Sequence, residues 1–149
     1  MNEEDRLNAG VLFYAEALEL VEKKSRAHRL NIEYNMTFES DAEKKREIIS
    51  SLLGEFGEGG VLQEPIFFHY GVHTKIGKNF FASFNFVVQD DAEVTIGDGC
   101  AIGAGAVVTR DIHPRTFAAG AQCRVVRELT DADSMRNKPY ILADNRVID

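Results

Sequence analysis

Ile96-Gly97, Ile102-Gly103 and Val108-Thr109 set an aliphatic residue beside a small one every six residues. Neither a helix nor an isolated strand keeps that period. It is the mark of a hexapeptide β-helix, in which each hexad supplies one short strand on one side of a triangular prism. The aliphatic side chain points into the prism, and the small neighbour is expected to let the backbone turn the corner. Ile76, Ala82 and Val88 keep the same period upstream, offset by two residues from the later set. The offset falls across Gln89-Asp90-Asp91-Ala92, a polar corner able to absorb an insertion. With three hexads, about 18 residues, to a coil, residues 60–127 provide three to four coils. So short a stack exposes its end strands and flat sides, which favours trimerisation and capping elements.

Residues 1–57 read as helical. Ser40-Asp41-Ala42-Glu43 has the spacing of a capping box, so a helix is expected to begin there. Ile48, Ile49, Leu52, Leu53 and Phe56 recur on its apolar face. Upstream, Phe13, Tyr14, Ala17, Leu18, Leu20 and Val21 predict an amphipathic helix running into Glu22-Lys23-Lys24, and the two helices are expected to pack as a hairpin on the first coil. Gly57, Gly59 and Gly60 close the helical part. The organisation expected is a helical N-terminal domain at 1–57, a hexapeptide β-helix at 58–128 and a tail at 129–149.

A net charge of −7 argues against nucleic-acid binding. The acidic opening Met1-Asn2-Glu3-Glu4-Asp5 is unlike a leader, and no uncharged stretch reaches spanning length, so a cytoplasmic protein without membrane contact is expected. Cys100 and Cys123 have neither CxxC spacing nor a disulfide framework around them and read as buried thiols. Within the acidic chain, residues 100–128 hold Arg110, Arg115, Arg124 and Arg127 against Asp111 and Glu128. An anionic ligand would find its site there.

Four segments carry a family resemblance. They are Arg6-Leu7-Asn8-Ala9-Gly10-Val11-Leu12-Phe13, Ile76-Gly77-Lys78-Asn79-Phe80-Phe81-Ala82-Ser83-Phe84-Asn85, Val94-Thr95-Ile96-Gly97-Asp98, and the run from Ile102 to Ile112 followed by Ala118-Ala119-Gly120 and Cys123-Arg124-Val125-Val126-Arg127-Glu128. Together they resemble the maltose and galactoside O-acetyltransferases. The resemblance implies a mainly β fold, a short left-handed parallel β-helix behind an N-terminal α-helical domain. It also implies direct transfer of acetyl from acetyl-coenzyme A to a sugar hydroxyl, in a cleft between neighbouring subunits of a homotrimer. Such a transfer needs a general base, a histidine in the family, and a donor for the developing oxyanion.

The same resemblance assigns coenzyme A to Ala104, Thr109, Arg110, Arg124 and Arg127, with Arg110 standing where lysine is usual and able to grip phosphate in its place. Gln122 stands where proline is usual. On the acceptor side Asp91 matches, while Ser83 replaces an asparagine, His69 a serine or aspartate, Phe81 a tyrosine and Ala15 an aspartate. The exchanges point to a different acceptor or to none. The Val94–Asp98 motif occurs once where the family has it twice, so on the order of three coils, with the family's catalytic histidine, have no counterpart.

Two readings follow. One is a working acetyltransferase with an altered acceptor, its base His69 or a group from elsewhere. The other is a non-catalytic coenzyme A-binding or structural trimer. Each assigned residue also has a plainer role: a half-exposed loop histidine at His69, a turn-stabilising carboxylate at Asp91 and a solvated tail for the arginines. His28 is expected to be solvated in a charged helical run, and the His113-Pro114 pair lies in the wrong coil for catalysis. No metal is expected: His69 and His73 would stand about 13 Å apart on extended chain, and three histidine ligands for a zinc enzyme of the γ-carbonic-anhydrase kind are not visible.

Overall fold

The computed structural model describes residues 1–134. Three helices come first: α1 at Glu3–Asn8, α2 at Leu18–Asn35 and α3 at Ala42–Leu52. Eleven short strands follow and form three sheets, the sides of a prism. Side A holds β1 (Glu55–Phe56), β4 (Thr74–Ile76) and β7 (Val94–Ile96). Side B holds β2 (Val61–Leu62), β5 (Phe81–Ala82), β8 (Ala101–Ile102), β10 (Thr116–Ala119) and β11 (Arg124–Glu128). Side C holds β3 (Ile66–Phe68), β6 (Phe86–Val88) and β9 (Val107–Val108). Every pairing is parallel except β10 with β11.

The register gives the coil length. Phe56 pairs with Ile76 and Ile76 with Ile96, Leu62 with Ala82 and Ala82 with Ile102, Phe68 with Val88 and Val88 with Val108. Each step is 20 residues, not the 18 expected from three hexads. The next step shortens to 16, since Ile96 bridges Ile112 and Ile102 pairs with Ala118. The two extra residues of the second coil sit at the corner after Val88, where the polar run predicted an insertion. The first coil carries the same insertion after Phe68. No aliphatic marker stands at those corners to reveal it.

The in-pointing side chains form the core: Leu62, Phe68, Ile76, Ala82, Val88, Ile96, Ile102, Val108 and Ala118 are all buried. Three-residue strands add a second buried position, as in Ile66, Phe86 and Val94. The glycines beside these aliphatics have another reason than the one expected. Gly57, Gly77 and Gly97 stack at one corner with no left-handed φ. A Cβ on Gly57 would lie 2.5 Å from the Gly77 carbonyl carbon, one on Gly77 2.7 Å from the Asp98 nitrogen, and one on Gly97 2.6 Å from the Pro114 nitrogen. They are small so that one coil can lie on the next. The turn is made two residues later, where Gly59, Asn79 and Gly99 have φ of 75°, 54° and 68°.

The helices differ in detail from expectation. Asp41, not Ser40, caps α3, accepting from Lys44 N at 3.3 Å. Phe56 belongs to the first strand and not to the helical face. Phe13 and Tyr14 precede α2, whose buried positions are Leu20, Ala27, Asn31 and Tyr34, and the helix continues past Lys24 to Asn35. The expected packing is present, with α2 against α3 and β3 and α3 against β1. Asn31 and Asn35, one turn apart, bond the backbone of β3 as a further strand would. Each carboxamide donates to and accepts from one residue, Phe68 at 2.8 and 3.0 Å and Ile66 at 3.0 and 2.8 Å.

Candidate functional site

Side C meets side A along an edge that gathers several of the predicted residues. His69, Gln89 and Thr109 each follow the last residue of a side-C strand, and His69 N donates to Val88 O and Gln89 N to Val108 O. Successive rungs of a sheet lie about 4.8 Å apart, so Thr109 and its neighbour Arg110 start about 10 Å from His69 along one edge. Asp91 stands between them. Its Oδ1 lies 3.8 Å from His69 Nε2, and its Oδ2 accepts from Gln89 Nε2 at 3.2 Å.

A buried carboxylate holds this corner in shape. Asp90 accepts from Tyr70 N at 2.7 Å, Gly71 N at 2.8 Å and Thr74 Oγ1 at 2.8 Å, while its own carbonyl meets His73 Nδ1 at 2.8 Å. Burial raises its pKa, and the three donors oppose that rise. The neighbouring Asp91 is thereby left at the surface with its side chain turned to His69.

His69 is partly buried, and desolvation lowers its pKa below the usual histidine value of 6.5. Asp91 and Asp90 pull it back up, and His28 and Lys24 push it further down. The neutral imidazole is thus the form held at neutral pH. His28 is not solvated as expected: its Nε2 is buried without a hydrogen-bond partner among the described residues, and its ring lies 5.8 Å from His69 and 5.2 Å from Phe67. Sequence reading missed this neighbour. The signal lay in the spacing of His28, Asn31 and Asn35, which puts His28 on the helix face that covers β3.

The other predicted residues stand apart from this edge. Ser83 lies at the corner between sides B and C, 3.5 Å from Gln63 Oε1, and the exposed Ala104 lies at the same corner one coil on. Phe81 is an outward residue of side B, and Ala15 accepts from Lys24 through its carbonyl. Arg124 and Arg127 are on β11, where Arg124 bonds Gln122 Oε1 at 3.2 Å. Asp133 holds Arg127 through two hydrogen bonds of 2.7 and 3.0 Å. His113 is exposed, and its carbonyl accepts from Thr116 Oγ1. No group of three metal-ligating side chains gathers among the described residues, and no described helix is long and apolar enough to cross a membrane.

His69, Asp91, Thr109 and Arg110 thus lie along one edge of side C and Ser83 and Ala104 along the other, whereas Arg124 and Arg127 lie on side B. The outer face of side C is apolar, with Phe67, Val87 and Val107, whereas side A presents Glu55, Lys75 and Thr95. A groove of about 370 Å³ lies elsewhere, between α3 and β2, lined by Tyr34, Lys45, Ile49, Phe56 and Leu62 among others.

Comparison with known proteins bears on this arrangement. Residues 6–57 match the maltose acetyltransferase hexapeptide capping motif. The galactoside O-acetyltransferase of Escherichia coli (strain K12) is 30% identical over 197 aligned positions, covering 96% of this chain and 95% of the relative. The chain belongs to the family of the galactoside and maltose O-acetyltransferases. Among solved structures, a galactoside acetyltransferase in complex with coenzyme A superimposes with a TM-score of 0.67 at 29% identity, covering 89% of this chain and 94% of that one. A maltose O-acetyltransferase from Clostridium difficile 630 gives 0.64 at 26%, covering 88% and 99%. An alignment of 197 positions against a chain of 149 residues leaves roughly fifty positions of the E. coli relative unmatched, or two to three coils of solenoid.

Proposed function

We propose that this protein is an acetyl-coenzyme A-dependent O-acetyltransferase acting on a sugar or another small hydroxyl-bearing molecule, and that it works as a homotrimer. The observation that carries this reading is the shared edge. Thr109 and Arg110, which the family resemblance assigns to the coenzyme, lie two rungs from His69 on the acceptor side, with Asp91 on the coil between them. The coenzyme supplies the acetyl thioester. The chain's own part is to grip the phosphates with Arg110, Arg124 and Arg127 and to hold the acceptor hydroxyl against the thioester carbon.

The division of the site supports the trimer. Ser83 and Ala104 lie on one edge of side C and the remaining edge residues on the other, so a single prism cannot bring them together. Packing three prisms side by side places unlike edges of neighbouring copies opposite one another and covers apolar surface of side C. The acceptor remains open in class: Ala15, Phe81 and Ser83 offer fewer hydrogen bonds to a sugar than the family pattern does. The missing coils favour a second reading, a trimer that binds coenzyme A without turnover. Calorimetric titration with coenzyme A, followed by thiol release from acetyl-coenzyme A with maltose and methyl β-galactoside, separates the two. Binding with release supports the transferase, binding alone the second reading, and no binding removes both.

A further inference from the structure

We propose that the His69–Asp91 pair is the proton-accepting group of this chain, taking over the role left vacant by the missing coils. The inference rests on the acetyltransferase reading above and adds the residue that does its proton transfer. Three features of the structure converge on it. First, His69 stands on the edge that also carries Thr109 and Arg110, about two rungs or 10 Å away, a separation the pantetheine arm of the coenzyme spans. Second, the imidazole has an oriented carboxylate beside it. Asp91 Oδ1 is 3.8 Å from Nε2, and Gln89 fixes the other oxygen, so the charge that stabilises an imidazolium is already in place. Third, neither ring nitrogen of His69 is spent on a hydrogen bond among the described residues, unlike His73, whose nitrogens face Asp90 O and Glu4 Oε1 at 2.8 and 3.3 Å.

The surroundings give the ring a fixed place. His28 and Phe67 lie on one side and Tyr70 meets it edge-on at 4.9 Å, while 23% of the side chain remains exposed on the prism edge. His28 is a positioning residue in this arrangement, since it packs against the His69 ring and Phe67 and reaches the reaction only through His69.

The step is a direct transfer. A ring nitrogen of His69 takes the proton of the acceptor hydroxyl, and the oxygen forms a bond to the thioester carbonyl carbon. The carbon–sulfur bond breaks, the coenzyme leaves as thiolate, and the imidazolium returns its proton to sulfur. Acetyl-coenzyme A and alcohol become coenzyme A and acetate ester, with no other reactant.

The test uses the full-length protein, acetyl-coenzyme A, and maltose and methyl β-galactoside as acceptor probes, with thiol release followed across pH 5 to 9. Coenzyme A binding is measured in parallel on every variant. In the wild type, kcat is expected to rise through one ionisation below 6.5 and then level off, because the neutral ring is the active form. His69→Gln is expected to lower kcat by about 10²- to 10⁴-fold while coenzyme A affinity stays within about twofold. Asp91→Asn is expected to move the limb to lower pH, because Asp91 raises the His69 pKa against burial, His28 and Lys24. A merely structural role for Asp91 would not move it. Wild-type turnover that survives His69→Gln within about threefold overturns the proposal, as does coenzyme binding without thiol release. Absence of coenzyme binding in the wild type overturns the transferase reading and takes this proposal with it.

Discussion

The side-chain amide of Asn31 and the backbone of Phe68 bond each other in both directions, at 2.8 Å from Nδ2 to the carbonyl and 3.0 Å from N–H to Oδ1. Both groups are buried, so Asn31→Ala leaves a donor and an acceptor without partners. A loss of about 2–4 kcal/mol is expected from two such groups. Urea unfolding of the two proteins measures it, and a loss below about 0.5 kcal/mol would mean that β3 does not depend on α2 for its pairing.

Gly77 and Gly105 separate two reasons for glycine. A Cβ on Gly77 meets the backbone of the next coil at 2.7 Å, whereas one on Gly105, with φ of 73°, meets nothing within 4 Å. Gly77→Ala should cost about 3 kcal/mol by overpacking and Gly105→Ala about 1 kcal/mol by backbone strain. Thermal unfolding of the pair gives the order directly.

The Lys45–Glu64 ion pair makes stability depend on acid. Its hydrogen bond holds the Glu64 carboxyl below its usual 4.5 in the folded protein. The native state then favours the ionised form. Its contribution is complete above 4.5 and is lost as pH falls through the lowered folded value. Glu64→Gln should lower the melting temperature at neutral pH and flatten its decline in that acidic window, which melting curves recorded from neutral to acidic pH will show.

Arg124 and Arg127 differ in what holds them. Asp133 grips Arg127 through two hydrogen bonds, while among the described residues Arg124 bonds only the neutral Gln122. Exchanging an existing carboxylate for a phosphate gains less than recruiting a guanidinium with a neutral partner. Arg124→Ala should therefore weaken coenzyme A binding about tenfold and Arg127→Ala by less, as read by titration calorimetry at fixed salt.

Assembly tests the flat sides of the prism. Val87→Asp on the apolar outer face of side C should shift light-scattering mass from three chains toward one, and Lys75→Asp on side A should not. The reverse result would place the contact on side A.

The prism was legible in the sequence because its in-pointing positions repeat, from Ile76 through Val108, and burial demands the same chemistry at each. The coil length was not. The polar insertions after Phe68 and Val88 bury a carboxylate and two backbone donors in place of an aliphatic marker. The start of α3 was legible to within one residue, since Ser40 and Asp41 are both good caps and only geometry selects Asp41. At the site, His69 and Asp91 came from family resemblance, and their approach needs the 20-residue register that no local pattern states. The partner on α2, His28, lies 41 positions from His69 in a charged stretch whose composition points to solvent.

A parallel stack has no internal reason to stop, because each rung is a template for another. At one end Asn31 and Asn35 occupy the hydrogen-bonding positions of β3 with side chains that cannot be copied onward. At the other, β11 runs antiparallel to β10 with all its residues exposed and offers a reversed edge. The molecule thus carries a chain terminator at each end. Among the described residues, side C at one end and side B at the other finish on a closure that presents no matching parallel edge for a further rung.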